Sequence, residues 1–536
     1  MHFRLQLFLG VVFLSLTLSA SPLVELNGAT SSLNPLSARF MGGSSDSAYF
    51  NPALLPLSPR SVNFSFFWVH SALDISLMDR DSSLDIIGDV DNGTGIYGAT
   101  TTEKASDPYT TNLPYKARPT ADLEKRGGVS SSDDELYASL GMVLPIYKEY
   151  LALGITATLP LMSGVLQQDS FFNDEREQNF SNSLHYELYG DRLKIFNGAL
   201  SLGGGYKWIY AGAGISIMSS SVINASIYTP DAGKNENKIH VDTTIKTVLR
   251  PQFGLVVQPW WKLRFTFTAH LEMKHDIASI NKLTFWYIDR EQEKEIDTNI
   301  ININQAFKPL TFSTGLGFVD AKIGPVFLNV GLTMVWKQWS HYRDRYNESP
   351  QNNIYWDYDI RYEDNNGNEQ HGGWATETVD DMRWKDTFEF VLGTTLKIKS
   401  HGIGFDIGYY PSPVPDQKKR TNYVDNDRIS FDVAYSYEWT LTKKLKMETG
   451  LNFESHIMLN RETHKLTGVA NSLGKDGTVV DEFPDSECDP FNPDCADNPD
   501  IVAEQSAGFQ TNNPGYPGFT SSGVIYSLGL WIKLLF

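Results

Sequence analysis

Cysteine is almost absent from this chain: 536 residues hold two, Cys488 and Cys495, close together in one polar stretch. A scaffold built on disulfides is therefore excluded, and a single Cys488–Cys495 bridge is the pairing expected of an exported chain. Positive charge is also scarce. Lys and Arg number 45 against 64 Asp and Glu, for a formal net charge of −19, which argues against nucleic acid as a partner. Beyond the N-terminus, no stretch approaches the roughly 20 apolar residues that a transmembrane helix needs. Catalytic signatures are missing too. There is no Gly-x-Ser-x-Gly elbow, no Walker loop, no HExxH and no CxxC, and the 11 histidines show no motif spacing, so the chain is not expected to be an enzyme or to carry a cofactor. The mean hydropathy of −0.28 looks like that of a soluble protein. Strands that alternate apolar and polar residues average out, however, so this value does not exclude a membrane barrel.

What is present begins with the N-terminus. Met1 to Arg4 is a short region with a positive charge, Leu5 to Leu18 is a short apolar region, and Leu18-Ser19-Ala20 resembles a small-residue cleavage site. This is the pattern of a secretory signal peptide over residues 1–20, with the mature chain expected near Ser21.

The last strand is the most telling element. Val524, Tyr526, Leu528, Leu530, Ile532, Leu534 and Phe536 share one face, while Ser527, Gly529 and Lys533 lie on the other. A soluble core would not hold a lysine in mid-face without a partner, whereas a strand between lipid and a wet or plugged lumen reads this way. The same alternation recurs. Leu263, Phe265 and Phe267 alternate with Arg264, Thr266 and Thr268, and Ile429, Phe431 and Val433 alternate with Ser430, Asp432 and Ala434. Arg264, Asp406, Asp432, Glu448, Glu454, His270 and His456 all fall on the face away from lipid.

Fourteen such strands are expected, beginning near Ser61, Glu135, Tyr150, Arg192, Ile209, Thr243, Leu263, Leu310, Val326, Thr387, Gly402, Arg428, Leu445 and Gly523. Short connectors such as Tyr147-Lys148-Glu149 and Lys399-Ser400-His401 follow even-numbered strands, and long polar segments follow odd-numbered ones. Short periplasmic turns and long outer loops are what a bacterial outer-membrane barrel requires. The fold class expected is therefore all-β, a 14-stranded antiparallel transmembrane barrel over residues 61–536. Residues 21–60 lack strand alternation and are rich in Ser, Gly, Ala, Asn and Pro. They form either a tail or a plug in a bore too wide for side chains alone to fill.

Two passages carry a resemblance to a known family. Ala38 to Leu57 holds Asn51-Pro52-Ala53 just before the first strand, and Gly408-Tyr-Tyr-Pro-Ser-Pro-Val-Pro-Asp416 is followed by Val424-Asp-Asn-Asp-Arg428. With the C-terminal Phe536, these make the chain resemble the FadL/TodX outer-membrane transporters of long-chain fatty acids and hydrocarbons. The resemblance implies a periplasmic-side hatch over 21–60 gated through Asn51, Pro52 and Ala53. It also implies passive movement of a hydrophobic molecule, with lateral exit through the barrel wall at a kink in the third strand. Gly154 and Pro160 are the positions where that strand would break. Pro160 has a plainer reading, as the end of the strand at the outer rim. Apolar landing spots among the loops are Phe171-Phe172 and Phe285-Trp286-Tyr287; Phe66-Phe67-Trp68 reads more simply as an aromatic girdle.

The expected partners are a hydrophobic small molecule, outer-membrane lipid and lipopolysaccharide, with the chain a monomer. Asp481 to Asp500, inside the loop 460–522, holds both cysteines and clustered carboxylates. Asp485, Asp489 (before Pro490), Asp494 and Asp497 suit Ca²⁺, which takes six to eight oxygen ligands. A solvated acidic loop pinned by one disulfide is the alternative. Two further classes stay open at this point: a selective porin passing polar solutes along the charged lining, and an adhesive or structural barrel acting through its loops.

Overall fold

The structure is a computed structural model and describes residues 22–77, 128–148, 150–162, 171–172, 184–185, 188, 196–231, 236–259, 262–287, 292–342, 360–363, 369–372, 384–415, 423–464 and 518–536. Fourteen antiparallel strands close into one barrel. They are β1 (Ser61–Leu77), β2 (Gly128–Tyr147), β3 (Leu151–Pro160), β4 (Asn197–Tyr206), β5 (Ile209–Asp231), β6 (Glu236–Val257) and β7 (Leu263–His270). The second half comprises β8 (Leu310–Ile323), β9 (Val326–Gln338), β10 (Thr387–Ile398), β11 (His401–Tyr410), β12 (Arg428–Thr440), β13 (Lys446–His464) and β14 (Gly518–Leu535). Closure is made by β1, whose Ser61 faces Val143 of β2 on one side and Leu535 of β14 on the other. Closure removes the free edges that would otherwise leave backbone groups unpaired in lipid.

Period-two patterning decides which face looks out. On β14, Leu528, Leu530 and Ile532 are exposed while Ser527, Trp531 and Lys533 are buried. On β1, Phe64, Phe66 and Trp68 are exposed, and Asn63, Ser65 and Phe67 are buried. A continuous exposed apolar belt of this kind cannot face water at such extent and marks a lipid-facing surface. The expected girdle at Phe66-Phe67-Trp68 is therefore split by the pleat: two rings look out and one looks in.

Segments read from the sequence as loops differ in two places. Residues 220–242 continue the pairing of β5 with β6 as far as Asp231 and Glu236. Residues 273–287 and 292–308 form a separate two-stranded hairpin. Ile recurs in both segments and favours extended chain; in the first, the antiparallel pair started in the wall propagates past it. Phe285-Trp286-Tyr287 thus lies on a strand of that hairpin, and Phe171-Phe172 pairs with Leu184-His185.

The described helical structure lies mainly before β1, in α1 (Pro22–Asn27), α2 (Ala38–Met41), α3 (Ser47–Phe50) and a 3₁₀ helix over Pro52–Leu57. Leu23, Phe40, Ala48, Tyr49, Ala53 and Leu55 of this segment are fully buried. They are covered by inward residues of the strands: Ala48, Tyr49 and Leu55 cluster with Val143, Ala152 and Ala199, and Ala53 clusters with Val256.

The candidate functional site: an N-terminal segment pinned to the inner wall

Glycine makes the close approach between segment and wall possible. An added Cβ at Gly404 of β11 would run into the Leu33 carbonyl, at Gly203 of β4 into the Pro52 carbonyl, and at Gly331 of β9 into the Phe40 ring. Gly154 of β3 faces Leu55 and Ala48 in the same way. Inward glycines on strand after strand leave the wall without side chains where the segment rests on it.

Polar anchors fix its position. Asp406 on β11 accepts from Asn34 Nδ2 at 2.8 Å, from the Leu36 amide at 2.9 Å and from Ser37 Oγ at 2.9 Å. Asp46, within the segment, accepts from Ser31 Oγ at 2.9 Å and from Thr156 Oγ1 of β3 at 3.2 Å. Arg264 of β7 donates to the carbonyls of Phe40 and Met41 at 3.1 and 3.2 Å. Lys533 of β14 donates to the Gly43 carbonyl and to Glu448, both at 3.2 Å. On α3, the Ala48 carbonyl accepts from both Ser201 and Gln252.

Asn51 holds the turn that leads into the wall. Its Oδ1 accepts from the Ala53 amide at 3.2 Å, capping the 3₁₀ helix, and its Nδ2 donates to the Arg39 carbonyl at 3.0 Å. Pro52 sits at the first helical position, where its missing N–H costs nothing. Gly254 and Gly212 back this turn closely. Asn51, Pro52 and Ala53 are thus brought together against β4, β5 and β6.

A buried ionic cluster lies on the other side of α2. Arg39 donates to both Glu25 oxygens at 2.8 and 2.9 Å, and the Tyr49 hydroxyl donates to the same carboxylate at 2.7 Å. Lys337 of β9 lies 3.3 Å from Glu25 and 2.7 Å from Glu389. Burial by itself would raise the Glu25 carboxyl, but Arg39 and then Lys337 outweigh it and hold the group well below the usual carboxylate range. Burial, with Glu25 adding to it, pushes the Tyr49 phenol up, so it stays a donor. Next to this cluster, Arg250 of β6 donates to the Leu271 and Pro309 carbonyls at 2.7 and 2.6 Å and to Thr311. Among the described residues, no carboxylate lies within ion-pair distance of it. Lys308 stands 5.6 Å from the Tyr49 ring centroid, and His270 packs edge-on against the same ring at 5.2 Å.

The charges placed inward by the sequence pattern are therefore not a wet lining. Asp406, Asp432, Glu454 and His270 are fully buried. Across the wall, Asp406 faces Asp432, which faces Glu454, and His456 lies 2.5 Å from Glu454. Gly154 sits in an unbroken ladder between β2 and β4, and Pro160 is the last residue of β3. On the β4 side, among the described residues, that ladder runs as far as Thr158 opposite Asn197. A cleft of about 210 Å³ opens at the short-turn end, between the 3₁₀ helix and the turn after β2, lined by Leu55, Pro56, Val143 and Ala152 among others.

Sequence reasoning missed Glu25, Arg39, Tyr49 and Arg250. The signal for Arg250 was available, since it occupies an inward position on its strand, but its neighbours Tyr49, Leu271 and Pro309 come from separate parts of the chain. The expected signal peptide, Cys488, Cys495 and the acidic residues Asp485, Asp489, Asp494 and Asp497 lie outside the described residues. Among the described residues, no group of His, Cys, Asp or Glu has the geometry of a metal site.

A closed, fourteen-stranded antiparallel barrel with an apolar belt outside and buried charges inside is an outer-membrane type of β-barrel. Its fold is shared with a solved Pseudomonas aeruginosa FadL homologue: 12% identity, a TM-score of 0.50, and 96% of this chain aligned to 98% of that one. The P. putida toluene transporter TodX aligns at 10% identity with a TM-score of 0.41, over 95% of this chain and 99% of that one. The Ralstonia pickettii toluene transporter TbuX aligns at 10% identity with a TM-score of 0.38, over 94% of this chain and 98% of that one. No family model matches the chain, and no curated protein matches it. Likeness at this level of identity concerns the fold alone.

Proposed function

We propose that this chain is an outer-membrane transporter that carries hydrophobic small molecules inward by passive diffusion, with residues 22–57 serving as its hatch. The observation that carries this reading is the dense anchoring of that segment to the inner faces of β3, β4, β6, β7, β9, β11 and β14. A general porin has no use for such a filling, because every anchor would have to break before a polar solute passed. A hydrophobe carrier needs one, since an open bore of this strand number would leak. The fold shared with a FadL homologue agrees with this reading. The hatch is gated through the Asn51-Pro52-Ala53 turn, and the substrate leaves sideways at the end of β3, near Pro160, which cannot donate to a ladder. Lateral exit keeps an acyl chain out of water, worth about 0.8 kcal/mol per CH₂.

The cargo is a long-chain fatty acid rather than a neutral hydrocarbon. Arg250 is buried and donates to the Leu271 and Pro309 carbonyls and to the Thr311 hydroxyl. A carboxylate headgroup would supply the compensating charge that a hydrocarbon cannot. The test is uptake of labelled oleate and of labelled toluene by cells lacking their own transporters. Oleate uptake that needs this chain supports the reading. Uptake of neither, together with leakage of polar solutes through the purified barrel, would overturn it in favour of a porin.

A further inference from the structure

The chain carries a net charge of −19, yet one end of the barrel is lined with cations. Five of the six short turns hold an exposed lysine, Lys148, Lys207, Lys262, Lys399 and Lys443, and exposed Lys322 stands at the end of β8 beside the sixth. Arg60 completes the ring beside the β1–β14 seam, where its carbonyl accepts from the Phe536 amide at 3.2 Å. Asp320 is an exposed acid near the fourth of these turns, and Glu438 is already paired with Lys446 at 2.7 Å. Among the described residues, none of the six lysines is in an ion pair.

Turn chemistry does not account for these lysines. Lys148, Lys207, Lys262 and Lys399 have φ of 48°, 57°, 63° and 53°, the left-handed region. Glycine, asparagine or aspartate takes up that conformation at less cost. Lysine at four such positions carries a backbone penalty that no ion pair among the described residues offsets, which points to a use for its charge outside the chain. The second observation is where the charges sit. The Lys148 ammonium lies 5.5 Å from the Tyr147 ring centroid, Lys207 lies 5.2 Å from Tyr206, Lys322 lies 5.9 Å from Phe327, and the Arg60 guanidinium lies 5.7 Å from Phe536. All four rings are exposed at the border of the apolar belt. An aromatic ring at that level marks the interface of the bilayer, so each cation stands at headgroup depth.

We infer that this rim is a binding surface for the phosphates of anionic phospholipids, such as phosphatidylglycerol, in the leaflet that meets the short turns. Basic groups at a membrane surface attract anionic headgroups. The ring holds the barrel at a defined depth and collects an anionic annulus around the short-turn end. The inference rests on the membrane-spanning and orientation parts of the proposed function, and not on what is transported.

The experiment is native mass spectrometry of the purified full chain, equilibrated in mixed micelles with equal phosphatidylglycerol and phosphatidylethanolamine of the same acyl chains. Wild type should retain phosphatidylglycerol on the order of tenfold more than its neutral competitor. The preference should collapse in the combined Lys148→Asn, Lys207→Asn, Lys262→Asn and Lys399→Asn variant. Asparagine suits the positive φ, so the barrel stays folded while the charge is removed, and heat-modified gel mobility checks this. Equal retention of both lipids by wild type, or an unchanged preference in the variant, would overturn the inference. So would lipid A competing as well as phosphatidylglycerol, since the phosphate would then not be that of a phospholipid. Oleate uptake is measured on the same variant: intact uptake with lost lipid preference supports the rim independently of transport, and absent uptake in wild type with lipid preference intact rejects the transport reading alone.

Discussion

Asn34 and Asp406 stand 372 positions apart in the chain, yet the amide nitrogen of one donates to the carboxylate of the other at 2.8 Å. Around this contact Asp406 also accepts from the Leu36 amide, the Ser37 amide and Ser37 Oγ, so one wall carboxylate holds four donors of the N-terminal segment. A contact of this reach ties the first part of the chain to the eleventh strand.

Asp406→Ala should release the segment locally. It leaves buried donors unsatisfied, at about 1–3 kcal/mol for each one that cannot re-pair. The expected outcome is faster protease cleavage within residues 28–40 of the purified barrel and more frequent conductance steps in planar bilayers, with heat-modified gel mobility unchanged. Conductance equal to that of wild type would show that Asp406 does not secure the bore.

Asn51→Ala removes both the cap on the 3₁₀ helix and the link to the Arg39 carbonyl. Loss of a cap alone costs about 1 kcal/mol. Uptake of labelled oleate should fall at equal surface expression, whereas Asn51→Ser, which keeps an uncharged capping oxygen, should retain more of it. If both variants transport like wild type, gating does not run through this turn.

Gly404→Ala and Gly203→Ala place a methyl group against backbone carbonyls of the segment, at Leu33 and Pro52. Neither atom can swing aside as a side-chain tip would. Both variants should assemble a barrel, because alanine is tolerated in a paired strand, but the segment should detach and become protease-sensitive. Gly324→Asn is the matched control. That glycine has a φ of 62° and open space about its Cβ, and asparagine accepts that backbone, so little change is expected.

Acid should loosen the segment through Glu25. Its folded carboxyl is held below the ordinary value of 4.5, after Arg39 and Lys337 overcome the opposing effect of burial. A depressed folded pKa contributes stability that is complete above the unfolded value and is lost as pH falls through the folded one. Protease protection of residues 22–57 should therefore be flat from neutral pH down to about 5 and fall only at lower pH. Glu25→Gln should be less protected at neutral pH and flatter below it. A wild-type loss of protection centred near pH 7 would assign the effect to another group.

Arg250→Gln discriminates cargo. With its guanidinium replaced, oleate uptake should fall by about tenfold or more, the scale of losing one charge-assisted pair. Toluene uptake, if there is any, should be unaffected. Equal loss of both would make Arg250 a structural residue.

Much of the wall was fixed by local pattern. The strands begin where alternation and turn residues place them, within a few residues, except β2, β6 and β14, whose outer ends extend further (Gly128 rather than Glu135, Glu236 rather than Thr243, Gly518 rather than Gly523), and β4, whose described part starts at Asn197 rather than Arg192. Period two also assigned the faces correctly at Lys533, Arg264, Asp432 and Leu530, because a pleated strand leaves a side chain only two directions to point. Even the short-turn lysines can be read directly. What the chain did not disclose was which inward residues meet. Glu25, Arg39, Lys337 and Glu389 come together only because the wall curves and the segment folds back against it, and no spacing along the chain encodes that encounter. Residues 22–57 lack periodicity for the same reason. Their shape is dictated by bare glycine patches and polar anchors on at least seven strands, so the tertiary structure alone decided where they lie.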